Sequence, residues 1–253
     1  MTFGRLWVWV LTAAIAVLTI SAVAKAEPVG INSPSEPVPR EGRWLMRFNE
    51  INARVKQGNA DLVFIGDSIT QGWEGRGARD IWNKFYAKRN AVNLGIGGDQ
   101  TQHVLWRLEN GNIDHISPKL AVLMVGTNNA GLNKPDDIAN GIKAIVRELR
   151  TRLPRTQILL MGVLPRGVDN SDLKRWSTVQ TNRIISALAD GKNVFYMDIG
   201  AKFVNRDDSI STDLMPDLLH LSPKGYQVWA EAIEPLVAKL LGEKRAVGKQ
   251  PMR

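Results

Sequence analysis

The stretch Leu62-Val63-Phe64-Ile65-Gly66-Asp67-Ser68-Ile69-Thr70 decides how this chain folds. Its apolar residues run without alternation into a glycine and a polar turn. A short unbroken apolar run is the mark of a strand covered on both faces, because a face open to water would impose a period of two. Working outward, similar blocks stand at AVNLG (91–95), LAVLMVG (120–126), QILLMGVL (157–164) and NVFYMDI (193–199). Between them apolar residues recur at helical spacing, roughly over 99–110, 135–153 and 173–189. Trp44, Phe48, Ile51 and Val55 predict a helix before the first strand, ended by Gly58. A last helix carries Trp229, Ile233, Leu236, Val237 and Leu240 on one face, with Ser222 as its cap and Pro223 at its first position. Five strands alternating with helices predict one α/β domain over 41–241, a parallel sheet between two helical layers. Ligands of such a sheet bind at the carboxyl ends of its strands.

The composition fits that reading. The 253 residues are 44% hydrophobic and 23% charged, as in ordinary globular proteins. There is no cysteine, so disulfides, thiolate metal sites and a cysteine nucleophile are excluded. The formal charge of +8 is not a nucleic-acid footprint: Arg5 and Lys25 lie in the first 26 residues, and 242–253 adds four bases against one acid as a basic tail. That leaves about +3 for the body, spread thinly.

Arg5, the apolar run 6–20 and Ala24-Lys25-Ala26 have the form of a secretory leader with a small-residue cleavage site, so 1–26 is expected to be removed after Ala26 and the protein to be periplasmic or secreted. The rival is an uncleaved anchor, since 6–24 carry no charge. After cleavage no stable membrane insertion is expected. Residues 27–40 hold four prolines and read as an extended linker.

Three strands end in polar, glycine-bearing turns: Gly66-Asp67-Ser68, Gly95-Ile96-Gly97-Gly98-Asp99 and Gly126-Thr127-Asn128-Asn129. Asp217-Leu218-Leu219-His220 precedes the last helix. A parallel sheet opens all four on one edge, which assembles a serine, a histidine with an acid three residues before it, and hydrogen-bond donors. Serine-dependent acyl transfer needs those parts. Each also has a plainer reading. Gly66-Asp67-Ser68 serves equally as a capped strand-to-helix turn, and Thr127 and Asn128 are ordinary loop residues. The second turn lacks the last glycine of a dinucleotide loop, because Gln100 stands there.

His115 is an internal control, since HISPK (115–119) nearly repeats HLSPK (220–224). Asn112 stands three residues before His115, whereas Asp217 stands before His220, and only a carboxylate fixes the imidazole with its basic nitrogen outward. His103 reads as a packing or surface residue. No H-E-x-x-H or G-x-S-x-G occurs, so neither a zinc site nor an α/β-hydrolase elbow is expected. No metal and no cofactor are called for.

With VFIGDSIT (63–70), NLGIGGDQTQHVLWRLENG (93–111), VGTNN (125–129), VLPRG (163–167) and DLLHLSPKGY (217–226) in order, the chain from about Asp61 to Leu240 resembles the SGNH, or GDSL-type, hydrolases. Within them it is most similar to the catalytic subunits of intracellular platelet-activating-factor acetylhydrolase and their bacterial relatives. The resemblance implies a flavodoxin-like three-layer α/β/α sandwich with strand order 2-1-3-4-5. It implies Ser68 as nucleophile, His220 as base and Asp217 as its orienting acid. The oxyanion hole would combine the N–H groups of Ser68 and Gly98 with the Asn128 amide, and Ile69, Thr127 and Leu219 would close the acyl pocket. The expected activity is hydrolysis of short-chain esters, acetyl first, on a small ester or an acetylated glycan. The rivals are a lysophospholipase or thioesterase with a longer acyl slot and a non-catalytic carbohydrate-binding module. Trp73 and Arg166 are candidates for the site mouth, with a packing and a surface reading beside them. A homo-oligomer is left open.

Overall fold

In the computed structural model, which describes Met1 and residues 33–243, the chain runs α1 (Arg43–Val55), β1 (Leu62–Gly66), α2 (Ser68–Gln71), α3 (Ala78–Phe85), β2 (Ala91–Gly95), α4 (Thr101–Arg107), β3 (Leu120–Met124), α5 (Pro135–Arg152), β4 (Gln157–Met161), α6 (Leu173–Ile185), β5 (Val194–Met197) and α7 (Pro223–Leu240). All five strands are parallel, in the order 2-1-3-4-5, as expected. The leader with its cleavage point, residues 27–32 and nearly all of the basic tail lie outside the described residues. Among the described residues no helix is long and apolar enough to cross a membrane.

Every residue of β1 is buried, and its side chains divide between two layers. Val63 and Ile65 join Trp44, Phe48, Leu105 and Ile142 under α1, α4 and α5. Leu62 and Phe64 join Tyr86, Trp229 and Ile233 under α3 and α7. Alternation is therefore present in space although the sequence shows none, because both faces are apolar. Trp73 is fully buried, with ring centroids of Phe64, Trp82, Tyr226 and Trp229 between 4.5 and 6.2 Å away, so its packing reading holds and it lines no mouth.

Local structure departs from the sequence reading in four places. Helix α3 lies in a connection to which the sequence reading assigned no element; Gly72, Gly75 and Gly77 hide an amphipathic run of only two turns. The apolar blocks at 120–126 and 157–164 overrun their strands, which end at Met124 and Met161. The segment 99–110 becomes α4 followed by one π turn, Leu108–Asn112. The third helical segment stops at Ile185 and tightens into a 3₁₀ turn, Ser186–Leu188.

Candidate active site

β1 delivers the Gly66-Asp67-Ser68 turn to the carboxyl edge of the sheet. Gly66 must be glycine there, since a Cβ would fall 2.1 Å from Thr70 Oγ1 and 2.3 Å from Met124 O. Asp67 follows, buried, and its Oδ1 accepts the Ile69 N–H at 2.9 Å, capping α2. Burial pushes its carboxyl up to about 7. Ser68 opens the helix, half-buried, with Oγ 2.9 Å from His220 Nε2. The turn thus caps α2 through Asp67 and sets Ser68 Oγ beside the His220 ring.

Asp217 organises the loop before α7. Its Oδ2 lies 2.6 Å from His220 Nδ1, while Oδ1 accepts the backbone N–H groups of His220 (2.6 Å) and Leu219 (3.1 Å). The three-residue spacing lets one carboxylate fix both the ring and the peptide that carries it. Partial burial pushes the Asp217 carboxyl up, but the hydrogen bonds of His220 outweigh this and leave it below its usual range. Leu218 takes a left-handed φ of +62° between these partners, and its carbonyl accepts the Gly167 N–H at 3.0 Å. Ser222 caps α7 as read, accepting the Gly225 N–H at 3.1 Å.

The remaining turns supply donors. Asn128 Nδ2 donates to Asp99 O at 2.9 Å, which uses one amide hydrogen and leaves the second, and Gln100 Nε2 holds Asn128 O at 3.0 Å. Among the described residues, the N–H groups of Ser68 and Gly98 have no protein acceptor.

Of the acyl-pocket positions, Ile69 and Thr127 are buried and Leu219 is half-buried. Arg166 Nη1 donates to Thr127 O (2.8 Å) and Oγ1 (3.1 Å), so it is an anchor of the third turn rather than a free surface charge. It also lines, with Asp172, Lys174, Asp217 and Leu219, a cleft of about 550 Å³ beside the triad. His115 is exposed on the far side of β3, and Asn112 bonds Arg107 and Asn52 instead of that ring. His103 Nδ1 accepts the Gln100 N–H at 3.0 Å, a helix-capping role; burial and the nearby arginines push its pKa down to about 4.

Sequence reasoning missed the ion pair beneath the site. Asp99 and Arg107 are both fully buried, joined by a 2.7 Å bond from Arg107 Nε to Asp99 Oδ2. Arg107 Nη1 reaches Asn112 Oδ1 at 2.9 Å, and Nη2 reaches Gly66 O, also at 2.9 Å. Trp44 Nε1 donates to the other Asp99 oxygen at 2.6 Å. One cation thus ties the end of β1 to the second turn. The available signal was an arginine inside the apolar run Val104-Leu105-Trp106-Arg107-Leu108.

A sequence model of the GDSL-like lipase/acylhydrolase family matches residues 64–228. Platelet-activating factor acetylhydrolase IB subunit alpha1 of Bos taurus is 37% identical over 89% of this chain and 95% of its own. Among solved structures, a GDSL-like lipase from Bacteroides thetaiotaomicron has the same fold with a TM-score of 0.63, at 22% identity, over 77% of this chain and 97% of its own. A carbohydrate acetylesterase from Sinorhizobium meliloti gives 0.57 at 19% identity, over 72% and 99%.

Proposed function

The chain belongs to the GDSL-like lipase/acylhydrolase family and hydrolyses ester bonds, and from that premise we propose that it is an exported serine esterase for short acyl groups, acetyl first, carried on a hydroxylated alcohol such as a sugar. A non-catalytic binding module is thereby set aside. The observation that carries the reading is the unbroken line of hydrogen bonds Ser68···His220···Asp217 at the edge of the sheet. His220 Nε2 takes the Ser68 proton as Oγ attacks the ester carbonyl, and Asp217 stabilises the imidazolium. The oxyanion is received by Ser68 N–H, Gly98 N–H and the second hydrogen of the Asn128 amide. His220 then protonates the leaving alkoxide, and water repeats the cycle on the acyl-enzyme.

The short acyl preference follows from walls that cannot retreat. Ile69 is stiff at χ1 and packed into the core. Thr127 is pinned by Arg166, and Leu219 sits between Asp217 and His220, where movement disturbs the triad. Overfilling such a site costs about 1–3 kcal/mol, or roughly 5- to 150-fold in kcat/KM. That loss is expected between acetyl and octanoyl p-nitrophenyl esters, and Leu219→Ala should reduce it. If octanoyl or longer esters are turned over best, the long-slot reading, lysophospholipase or thioesterase, replaces this one.

Support for a hydroxylated alcohol comes from the polar side chains of Arg166, Asp172 and Lys174, which share the cleft beside the triad with Val168, Leu173 and Leu219, and from the fold shared with a carbohydrate acetylesterase. Acetate release from acetylated sugars, measured beside the graded esters, tests it. Export rests on the leader alone. Its readout is a mature amino terminus at Glu27 by mass spectrometry of the exported protein, and an intact, membrane-held Met1 form overturns it.

A further inference from the structure

Residues 33–40, the described part of the stretch 27–40 read from sequence as an extended linker, are fastened to the body. Thr101 Oγ1 donates to Pro34 O at 2.8 Å, and Val38 N–H donates to Gln102 O at 3.2 Å. Pro34 is buried against Gly141. This course brings Arg40 to the turn beside Ser68. Its Nη1 donates to Gly97 O at 2.9 Å and stands 3.6 Å from Asp99 Oδ1.

The turn it touches has two orientations open to it. Asp99 N–H donates to Ile96 O at 3.2 Å, with Gly97 and Gly98 between, and Gly98 has a φ of +76°. A positive φ at the third residue marks the type II turn; in type I the central peptide is turned over. Two glycines leave both forms sterically open. The central peptide carries Gly97 C=O at one end and Gly98 N–H at the other, pointing opposite ways in one plane. Whatever holds the carbonyl therefore aims the N–H. The turn lies against the nucleophile, since a Cβ on Gly97 would be 3.9 Å from that of Ser68. Gln71 Oε1 accepts the Gly97 N–H at 2.7 Å and fixes the preceding peptide, but nothing except Arg40 holds Gly97 O among the described residues.

We propose that Arg40 is a positioning residue for ester hydrolysis: by holding Gly97 O it keeps Gly98 N–H directed at the oxyanion. The proposal rests on Gly98 being an oxyanion donor, as read above. A charged donor on the carbonyl also polarises the same peptide, which strengthens its N–H as a donor in the transition state. The segment before the catalytic body thus completes the site.

Arg40 suits a direct test because its side chain is 36% exposed and its removal leaves no buried partner alone; Asp99 keeps Arg107 and Trp44. Pro34 and Val38 hold the segment without it. In the full chain, Arg40→Met is expected to lower kcat for p-nitrophenyl acetate about tenfold, less than the ~10²–10³ expected when a donor itself is removed in Asn128→Ala. KM and the melting temperature should stay near wild type, labelling by a fluorophosphonate should slow in step with kcat, and Arg40→Lys should recover most of the loss. A residue that merely tethers the segment would lower the melting temperature and leave kcat alone. Wild-type kcat in Arg40→Met, a loss confined to KM, or no recovery in Arg40→Lys overturns the proposal while the esterase reading stands. A wild-type protein that turns over no ester overturns both.

Discussion

Ser68→Ala is expected to cut turnover of p-nitrophenyl acetate by about 10⁴–10⁶ while leaving the fold intact. The hydroxyl makes one hydrogen bond, to a histidine whose side chain is 45% exposed, so its loss strands no buried group. Without Oγ there is no atom to form the acyl-enzyme, and only binding and the oxyanion donors remain. His220→Ala should fall to a similar level, and the double variant no further, because nucleophile and base act as a unit. His115→Ala should match wild type, since that ring precedes β3, at the opposite edge of a parallel sheet from Ser68. A fluorophosphonate should label Ser68 alone. Labelling at another residue, or full activity in Ser68→Ala, overturns the mechanism.

Arg107→Met is expected to destabilise the protein by about 3–5 kcal/mol in urea unfolding at pH 8, because removing one member of a buried pair leaves the other charge uncompensated. Asp99 Oδ2 and Asn112 Oδ1 lose their donor together, and Gly66 O keeps only the Ile96 N–H. Burial already pushes the Asp99 carboxyl up, and Arg107 is the main influence pulling it back. In the variant the folded-state pKa of Asp99 therefore rises further above its unfolded value. Stability tied to such a group is present below the unfolded pKa and is lost as pH rises through the folded one. The deficit against wild type should accordingly shrink toward pH 5 and grow toward pH 8. A loss under ~1 kcal/mol, or one independent of pH, shows that the pair is not the lock between β1 and the second turn.

The strands of the sheet were legible in the sequence because they follow from local rules, whereas their order, 2-1-3-4-5, was expected from the family resemblance. Apolar runs such as Leu62–Gly66 need no partner to reveal a strand covered on both faces. The Asp217-x-x-His220 spacing, set against Asn112 and His115, was also enough to choose one histidine, since both residues lie on one short loop. What the sequence could not contain are pairings across distance. Arg107 holds the Gly66 carbonyl across 41 residues, Thr127 is held by an arginine 39 residues away, and Arg40 reaches the Gly97 carbonyl across 57. Composition likewise made Trp73 as plausible at a surface as in the core, and its burial depends on Phe64 of β1 and on Tyr226 and Trp229 of α7. Backbone propensity and hydrophobic period act over a few residues, so they determined strands, caps and the contents of the turns. Hydrogen bonds between side chains and distant carbonyls exist only after the sheet has brought those turns to one edge, so only the tertiary structure decided which groups hold the Ser68 turn, the Gly97-Gly98 turn and the preceding segment in place.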